Sequence, residues 1–70
     1  MAENWKSTAV DEVRTGDEIR LESGRRLVVS RIEAPFMGRS EMIAFIQDTP
    51  EGWFKQPMLA SKSVEVLHTD

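Results

Sequence analysis

Cysteine is absent from this chain of 70 residues, and histidine occurs once, as His68. Without a thiol the chain has neither disulfides nor thiolate metal ligands. A single histidine also lacks the partners that a nucleophilic triad or a typical zinc site needs. We therefore interpret His68 as an ordinary residue at the end of a strand, and we expect no catalytic residue and no metal site.

No glycine-rich phosphate loop is present, since neither G-x-G-x-x-G nor Gly-Lys-Ser/Thr occurs. The acidic pairs Asp11-Glu12 and Asp17-Glu18 are sequence neighbours, which on a strand point to opposite faces and do not flank one scissile bond. We therefore expect no cofactor and no enzymatic activity. The glycines stand apart from one another, as turn residues do: Gly16, Gly24, Gly38 and Gly52.

The chain also lacks long apolar runs and a surplus of basic residues. Residues 1–6 hold no apolar core of a signal peptide, and no segment approaches the ~20 apolar residues of a membrane helix. Together with the absence of cysteine, this predicts a cytoplasmic protein. Twelve acidic against nine basic residues give a net charge of −3, which argues mildly against a dedicated nucleic-acid binder.

The composition, with 40% hydrophobic and 30% charged residues, is that of a folded globular chain. Its length predicts a single domain, residues 1–70, with one thin core, because a chain this short buries only about 60% of its unfolded surface.

Strand-type alternation dominates the first half. Residues 18–22 alternate polar and apolar side chains, and residues 25–33 are rich in β-branched residues. A three-residue loop, with Gly24 in the left-handed region, pairs Ile19 with Leu27. We prefer it to a two-residue loop, which would place an arginine beside the core row.

The second strand is expected to bend. Ile32 falls out of phase with the inward-facing row that starts at Leu27. We therefore predict a bulge or a strong bend near Ser30-Arg31, of the kind that small barrels use to close.

The rest of the chain continues the pattern of strands and short turns. Thr8–Val10 is interpreted as a short edge strand, and Pro57 is expected to end the fourth main strand because proline cannot donate to a ladder. The remaining elements are predicted as a loop at 34–39, a strand at 40–48, a turn at 49–52, a strand at 53–56, a connection at 58–62 and a strand at 63–68.

The segment from Val13 to Leu21, followed by the glycine hairpin from Ser23 to Val29, resembles the opening of many SH3-like barrels, which run "V-x-x-G-D-x-I-x-L" into such a hairpin. The resemblance covers about the first half of the chain. It implies an all-β, five-stranded SH3-like barrel, a strongly bent antiparallel meander, with an OB-like barrel as the alternative. This fold carries many unrelated functions.

The run from Met42 to Ile46 is apolar on both alternating faces, and Trp53-Phe54 and Phe36-Met37 add more large apolar residues. One interpretation is strong barrel curvature, which covers a central strand on both sides, with Trp5 or residues 58–59 as a lid. The other is an exposed apolar patch led by Phe45, and such patches mark association surfaces.

Arginines concentrate on the predicted first hairpin and its neighbours, and two roles are open to them. They could grip phosphates, or each could be balanced by a nearby glutamate on the same hairpin, which we prefer. The arginines are Arg20, Arg25, Arg26 and Arg31, and the glutamates are Glu18, Glu22 and Glu33.

The functional prediction is a non-catalytic interaction module that binds a protein or a second copy of itself through an aromatic and basic surface. The alternative is a small barrel that binds single-stranded RNA or DNA, in which the same aromatics stack bases. No small-molecule substrate and no membrane association are predicted. The predicted surface consists of Phe36, Arg39, Phe45, Trp53, Phe54 and Lys55, with Arg31 at its rim.

Overall fold

A computed structural model describes residues 3–68, and these residues form an all-β protein. Within this range the one helical element is a single 3-10 turn, Val10–Glu12. The strands are β1 (Asn4–Ala9), β2 (Glu18–Arg20), β3 (Arg26–Val28), β4 (Arg31–Glu33), β5 (Met42–Thr49), β6 (Gly52–Leu59) and β7 (Ser63–His68).

The strands form two antiparallel sheets. Sheet A has the order β1-β7-β2-β3, and sheet B has the order β4-β5-β6, so the ladders among residues 3–68 do not close into one barrel. Seven strands are present instead of five, for two reasons. The predicted strand 25–33 is divided between the sheets, and residues 4–9 form a longer edge strand than the predicted Thr8–Val10.

The first hairpin has the predicted register. Ile19 lies opposite Leu27, and the Leu21 amide donates to the Arg25 carbonyl at 2.8 Å. Gly24 has a φ of 91°, the left-handed conformation that a three-residue loop needs and that glycine adopts without a Cβ penalty. The alternation and the turn chemistry therefore agree, and the prediction is confirmed.

The predicted bend is also confirmed. The Val29 amide donates to the Asp17 carbonyl of sheet A, whereas the next amide, that of Ser30, donates to the Ile46 carbonyl of sheet B, both at 2.8 Å. The chain thus changes sheets between these two residues. The change of phase lets Ile32 pack against the core, as Leu27 and Val29 do.

Pro57 does not end its strand, contrary to the prediction, because β6 is an edge strand of sheet B. The carbonyls of Met42 and Ile46 accept bonds from Phe36 and Ser30, on the side of β5 away from β6. By alternation, Ala44 also turns its backbone groups away from β6, so Pro57, which lies opposite Ala44, has no ladder bond to donate.

Phe45 lies at the centre of the core, with none of its surface exposed. The expectation that Phe45 leads an exposed patch is therefore wrong. Both faces of β5 are covered: Ile43 and Phe45 pack into the space between the sheets, while Ala44 and Ile46 are buried beneath the outer side chains of sheet B. The core between the sheets consists of Val10, Val13, Ile19, Leu27, Val29, Ile43, Phe45, Val64 and Val66.

Candidate functional site

The outer face of sheet B brings together the side chains that point away from the core on three neighbouring strands. Residues directly opposite each other in a ladder share a face. The register aligns Arg31, Ile46 and Lys55 in one row, Glu33, Ala44 and Pro57 in the next, and Asp48 with Trp53 beside them. We use the name outer face for these eight residues.

Lys55 is held between two aromatic rings on this face. Its Nζ lies 5.2 Å from the centroid of the Phe36 ring and 5.5 Å from that of Trp53. The same nitrogen donates a hydrogen bond of 3.2 Å to Glu33 Oε1. Because both ring faces carry negative potential, the two rings and the carboxylate all stabilise the ammonium group.

Phe36 reaches the face from a tight turn in the loop between β4 and β5. Its amide donates to the Met42 carbonyl at 3.0 Å, and its carbonyl accepts from the Arg39 amide at 3.0 Å. The turn between them has positive φ values at Met37 (53°) and Gly38 (73°). This conformation resembles a type I′ hairpin turn, and it fixes Phe36 beside Lys55.

Arg31 and Asp48 form a two-point ion pair on the same face, across Ile46 from Lys55. Arg31 Nε lies 2.9 Å from Asp48 Oδ2, and Nη2 lies 3.0 Å from Oδ1. Hydrogen bonding to Asp48 raises the pKa of Arg31. With the pair of Lys55 and Glu33, the face carries two cations and two anions, and its formal charge is zero.

The apolar floor of the face lies under these side chains. Ala44 and Ile46 are buried, and a shallow cavity of about 250 Å³ opens above Ile46 between the side chains around it. The exposed apolar groups lie at the margins instead: Met37 is 78% exposed and Trp53 is 64% exposed. The face therefore offers an exposed aromatic ring beside a charged centre, and the adjoining turn exposes the Met37 thioether.

Four of the seven predicted surface residues come together here: Arg31, Phe36, Trp53 and Lys55. Arg39 lies in the adjoining loop, where it pairs with Glu41 at 2.8 Å. Phe54 is on the opposite side of β6, where it packs against the core beneath Arg25, so its assignment to the same surface is wrong. Neighbouring residues on a strand alternate, and Trp53 and Phe54 cannot share a face.

The partner of Lys55 was not identified from the sequence. Glu33 was assigned to balance the arginines of its hairpin, whereas it binds a lysine on β6, two strands away. The strand register indicates this pair. Glu33 lies opposite Ala44, and Lys55 lies opposite Ile46, two residues further along the same face of β5. To derive this register from the sequence, the position of the bend at Ser30 must be known, because the bend decides which residues of β4 face outward.

The outer face of sheet A holds two further arginines, Arg20 and Arg26, in ion pairs. Arg26 pairs with Glu18, as the local-balance interpretation predicts, and also with Glu3 at 2.8 Å. Arg20 pairs with Glu65 at 3.0 Å, and its guanidinium carbon lies 4.4 Å from the centroid of the Trp5 ring. Trp5 is thus a stacking partner for arginine on this outer face.

A larger groove, of about 540 Å³, lies at the other end of the β6 strand, between that strand and β7. Its walls include the apolar side chains of Leu21, Met58 and Leu59, and its rim holds the paired Arg20 and Glu65. None of the seven predicted surface residues lines it.

Comparison with known proteins finds no match to this chain among family models, curated proteins or solved structures. Within residues 3–68, no helix has the length and apolar character needed to cross a membrane. In the same range, no three histidine, cysteine, aspartate or glutamate side chains are grouped as ligands for a metal ion.

Proposed function

We propose that this chain is a non-catalytic interaction module that binds a protein partner through the outer face of sheet B and the adjoining Met37 turn. The observation that carries the proposal is the exposure of Trp53 and Met37 beside a charged centre made of Lys55 and Arg31. Tryptophan, methionine and arginine are enriched in protein interfaces, and aromatic anchors supply much of their binding energy.

The size of the face favours a weak or transient complex. Three strands about 4.8 Å apart make a strip roughly 15 Å wide, which is small against the ~800 Å² per partner of a standard interface. The Met37 turn extends the contact area beyond the strip. The zero formal charge of the face suits a partner surface of mixed charge, whereas a strongly acidic ligand would face Glu33 and Asp48.

A pair of matched variants tests this proposal. Trp53→Ser removes the aromatic anchor, and Val28→Ser removes an exposed apolar side chain from the outer face of sheet A. Wild type and both variants are immobilised, and the proteins captured from a cell extract are quantified. We expect specific captured proteins to be retained by Val28→Ser and lost with Trp53→Ser. Identical capture by all three forms would refute the proposal.

Self-association is measured in the same set by sedimentation velocity over a range of concentrations. A second copy as the partner predicts association in the wild type and in Val28→Ser but not in Trp53→Ser. The proposal for a different protein partner predicts that all three forms sediment as monomers.

We also propose an SH3-like arrangement for the fold. The support is the path β7-β2-β3, bend, β4-β5-β6, which makes one bent antiparallel series of five strands if β3 and β4 count as one. β1 then is an additional edge strand beside β7. An experimental structure in which β3 and β4 do not continue each other across the bend at Ser30 would contradict this arrangement.

Protein binding is better supported than binding of single-stranded nucleic acid. Arg20, Arg26, Arg31 and Arg39 all form ion pairs with carboxylates, so a phosphate would have to compete for each. A titration with labelled single-stranded RNA at low salt, repeated at high salt, distinguishes the two. Tight binding that weakens steeply with salt would favour the nucleic acid. The absence of cysteine suits a reducing compartment, and we propose a cytoplasmic location.

A further inference from the structure

The surroundings of Lys55 combine the groups that bind an alkylammonium ion. The faces of Phe36 and Trp53 lie 5.2 Å and 5.5 Å from its Nζ, within the ~6 Å over which a ring face attracts a cation. A carboxylate oxygen of Glu33 lies 3.2 Å from the same nitrogen. Lys55 therefore occupies a site whose remaining groups come from β4 (Glu33), from the loop that follows it (Phe36) and from β6 itself (Trp53).

This internal occupant can be displaced. Lys55 has a flexible four-carbon side chain, and its one ion pair, with Glu33, is partly exposed. Exposed pairs of this kind contribute little to stability. Its neighbour Arg31 makes two hydrogen bonds to Asp48, whereas Lys55 makes one to Glu33, so Lys55 is the cation of the face with fewer hydrogen bonds to lose.

We propose that Phe36, Trp53 and Glu33 form a site for an ammonium group, which Lys55 fills in the free protein and which a lysine side chain of the bound partner takes over. This inference rests on the proposed function, because it names the chemistry that the outer face recognises. Lys55 acts as a built-in competitor that lowers the affinity for the incoming cation.

Charge explains why the ligand is a cation. Once Lys55 turns outward, the centre of the face retains Glu33, Asp48 and Arg31, with a formal charge of −1. A carboxylate ligand would meet two ring faces, which repel anions, and an arginine that already has a carboxylate partner in Asp48. The cavity of about 250 Å³ beside Lys55 leaves room for one of the two lysine side chains during the exchange.

The test uses Lys55→Met, which keeps an unbranched apolar side chain and removes the ammonium group. The probes are Nα-acetyl-lysine methylamide, its trimethylated form, and Nα-acetyl-norleucine methylamide as the uncharged control. Binding is followed by NMR at the indole N–H of Trp53, which the variant Trp5→Phe distinguishes from the other tryptophan. Unfolding by urea shows whether each variant is folded.

We expect Lys55→Met to bind both ammonium probes at least about tenfold more tightly than the wild type, since the competing occupant is gone. Norleucine methylamide should not shift the resonance. Adding Phe36→Leu to Lys55→Met should abolish the shift of the Trp53 resonance, while adding Val28→Ser should not. Equal affinities of wild type and Lys55→Met, no binding to Lys55→Met, or equal binding of norleucine would each overturn the inference.

The two proposals fail separately. If Trp53→Ser loses the captured partner but the ammonium probes do not bind Lys55→Met, the interaction module stands and the ammonium site falls. If the probes bind as expected but capture does not depend on Trp53, the site exists and the proposed protein interface is wrong.

Discussion

The guanidinium carbon of Arg25 lies 3.9 Å from the centroid of the Phe54 ring. Arg25 directly follows the hairpin turn of sheet A, and Phe54 lies on β6, the edge strand of sheet B. The contact thus connects the two sheets at the side where sheet B ends. Phe54 also packs against the core, so this stacking fastens the tip of the first hairpin to the core of the molecule.

Removing this contact is expected to produce a measurable coupling. Arg25→Ala, Phe54→Leu and the double variant form a mutant cycle, and we expect a coupling free energy of about 0.5–1 kcal/mol, the range of exposed cation–π contacts. Urea unfolding followed by circular dichroism provides the free energies. Arg39→Ala combined with Phe54→Leu is the matched control and should be additive, because Arg39 pairs with Glu41 instead. Additivity in both cycles would show that the stacking contributes nothing.

Two aromatic substitutions separate the core from the proposed interface. Phe45→Ala should lower the free energy of unfolding by about 3–5 kcal/mol, because it leaves a cavity at a completely buried site. That loss is a large share of the roughly 4–10 kcal/mol expected for a domain of this length. Trp53→Ala should change it by no more than about 1 kcal/mol, since most of the side chain is in water. Similar losses for both, measured by urea unfolding, would contradict this assignment.

The first half of the fold was predictable from local signals. The alternation around Ile19, the turn chemistry of Gly24 and the phase of Ile32 all indicate the same hairpin and the same bend. Each of these signals acts over a few residues, and none depends on a distant partner. The resulting register and the change of sheet at Ser30 follow the prediction.

The extent of β6 was not predictable in the same way. Whether Pro57 interrupts a strand depends on which side of the strand carries a neighbour. That is decided by the position of β6 at the edge of sheet B and by the hydrogen bonds of β5 to β4. Both are properties of the assembled sheet rather than of the residues around the proline.

The candidate site was predicted in part for a related reason. The sequence indicates that aromatic and basic residues gather near β5 and β6, and Phe36, Trp53 and Lys55 do so. It does not indicate which face of β5 is covered. Ile46 is buried on the outer side because it lies between Arg31 and Lys55, whose long side chains flank it across two ladders.

The carboxyl group of Glu41 should titrate below the ordinary range. A hydrogen bond from Arg39, and secondarily one from the backbone, lowers the pKa of Glu41 in the folded protein. A carboxyl group whose folded pKa is lowered favours the folded state above its unfolded pKa, and this contribution is lost as the pH falls through the folded pKa. The measurement is a carbon-detected NMR titration of the glutamate side chains.

Arg39→Ala supplies the comparison for that titration. Removal of the guanidinium should move the pKa of Glu41 upward, toward its usual value. If Glu41 titrates at the same pH in both proteins, the ion pair in the loop is not formed in solution.

Proline at position 57 is expected to keep the open edge of β6 from pairing with other chains. Trp53, Lys55 and Leu59 lie an even number of residues from Pro57 along β6. Their amides therefore point to the same side as position 57, away from β5. Pro57 interrupts this row of donors, and Lys55 adds a charge on the same edge, both of which discourage edge-to-edge association. Pro57→Thr restores the missing donor with a residue that favours strands.

We expect Pro57→Thr to raise the concentration-dependent mass in sedimentation equilibrium relative to the wild type, with little change in the free energy of unfolding. Gln56→Thr is the matched control, because Gln56 lies opposite Phe45 and its backbone groups bond to β5. Its mass should follow the wild type. The two threonine variants should differ, because they lie at adjacent positions of one strand and affect opposite edges of β6. Association in both, or in neither, would mean that the proline does not protect this edge.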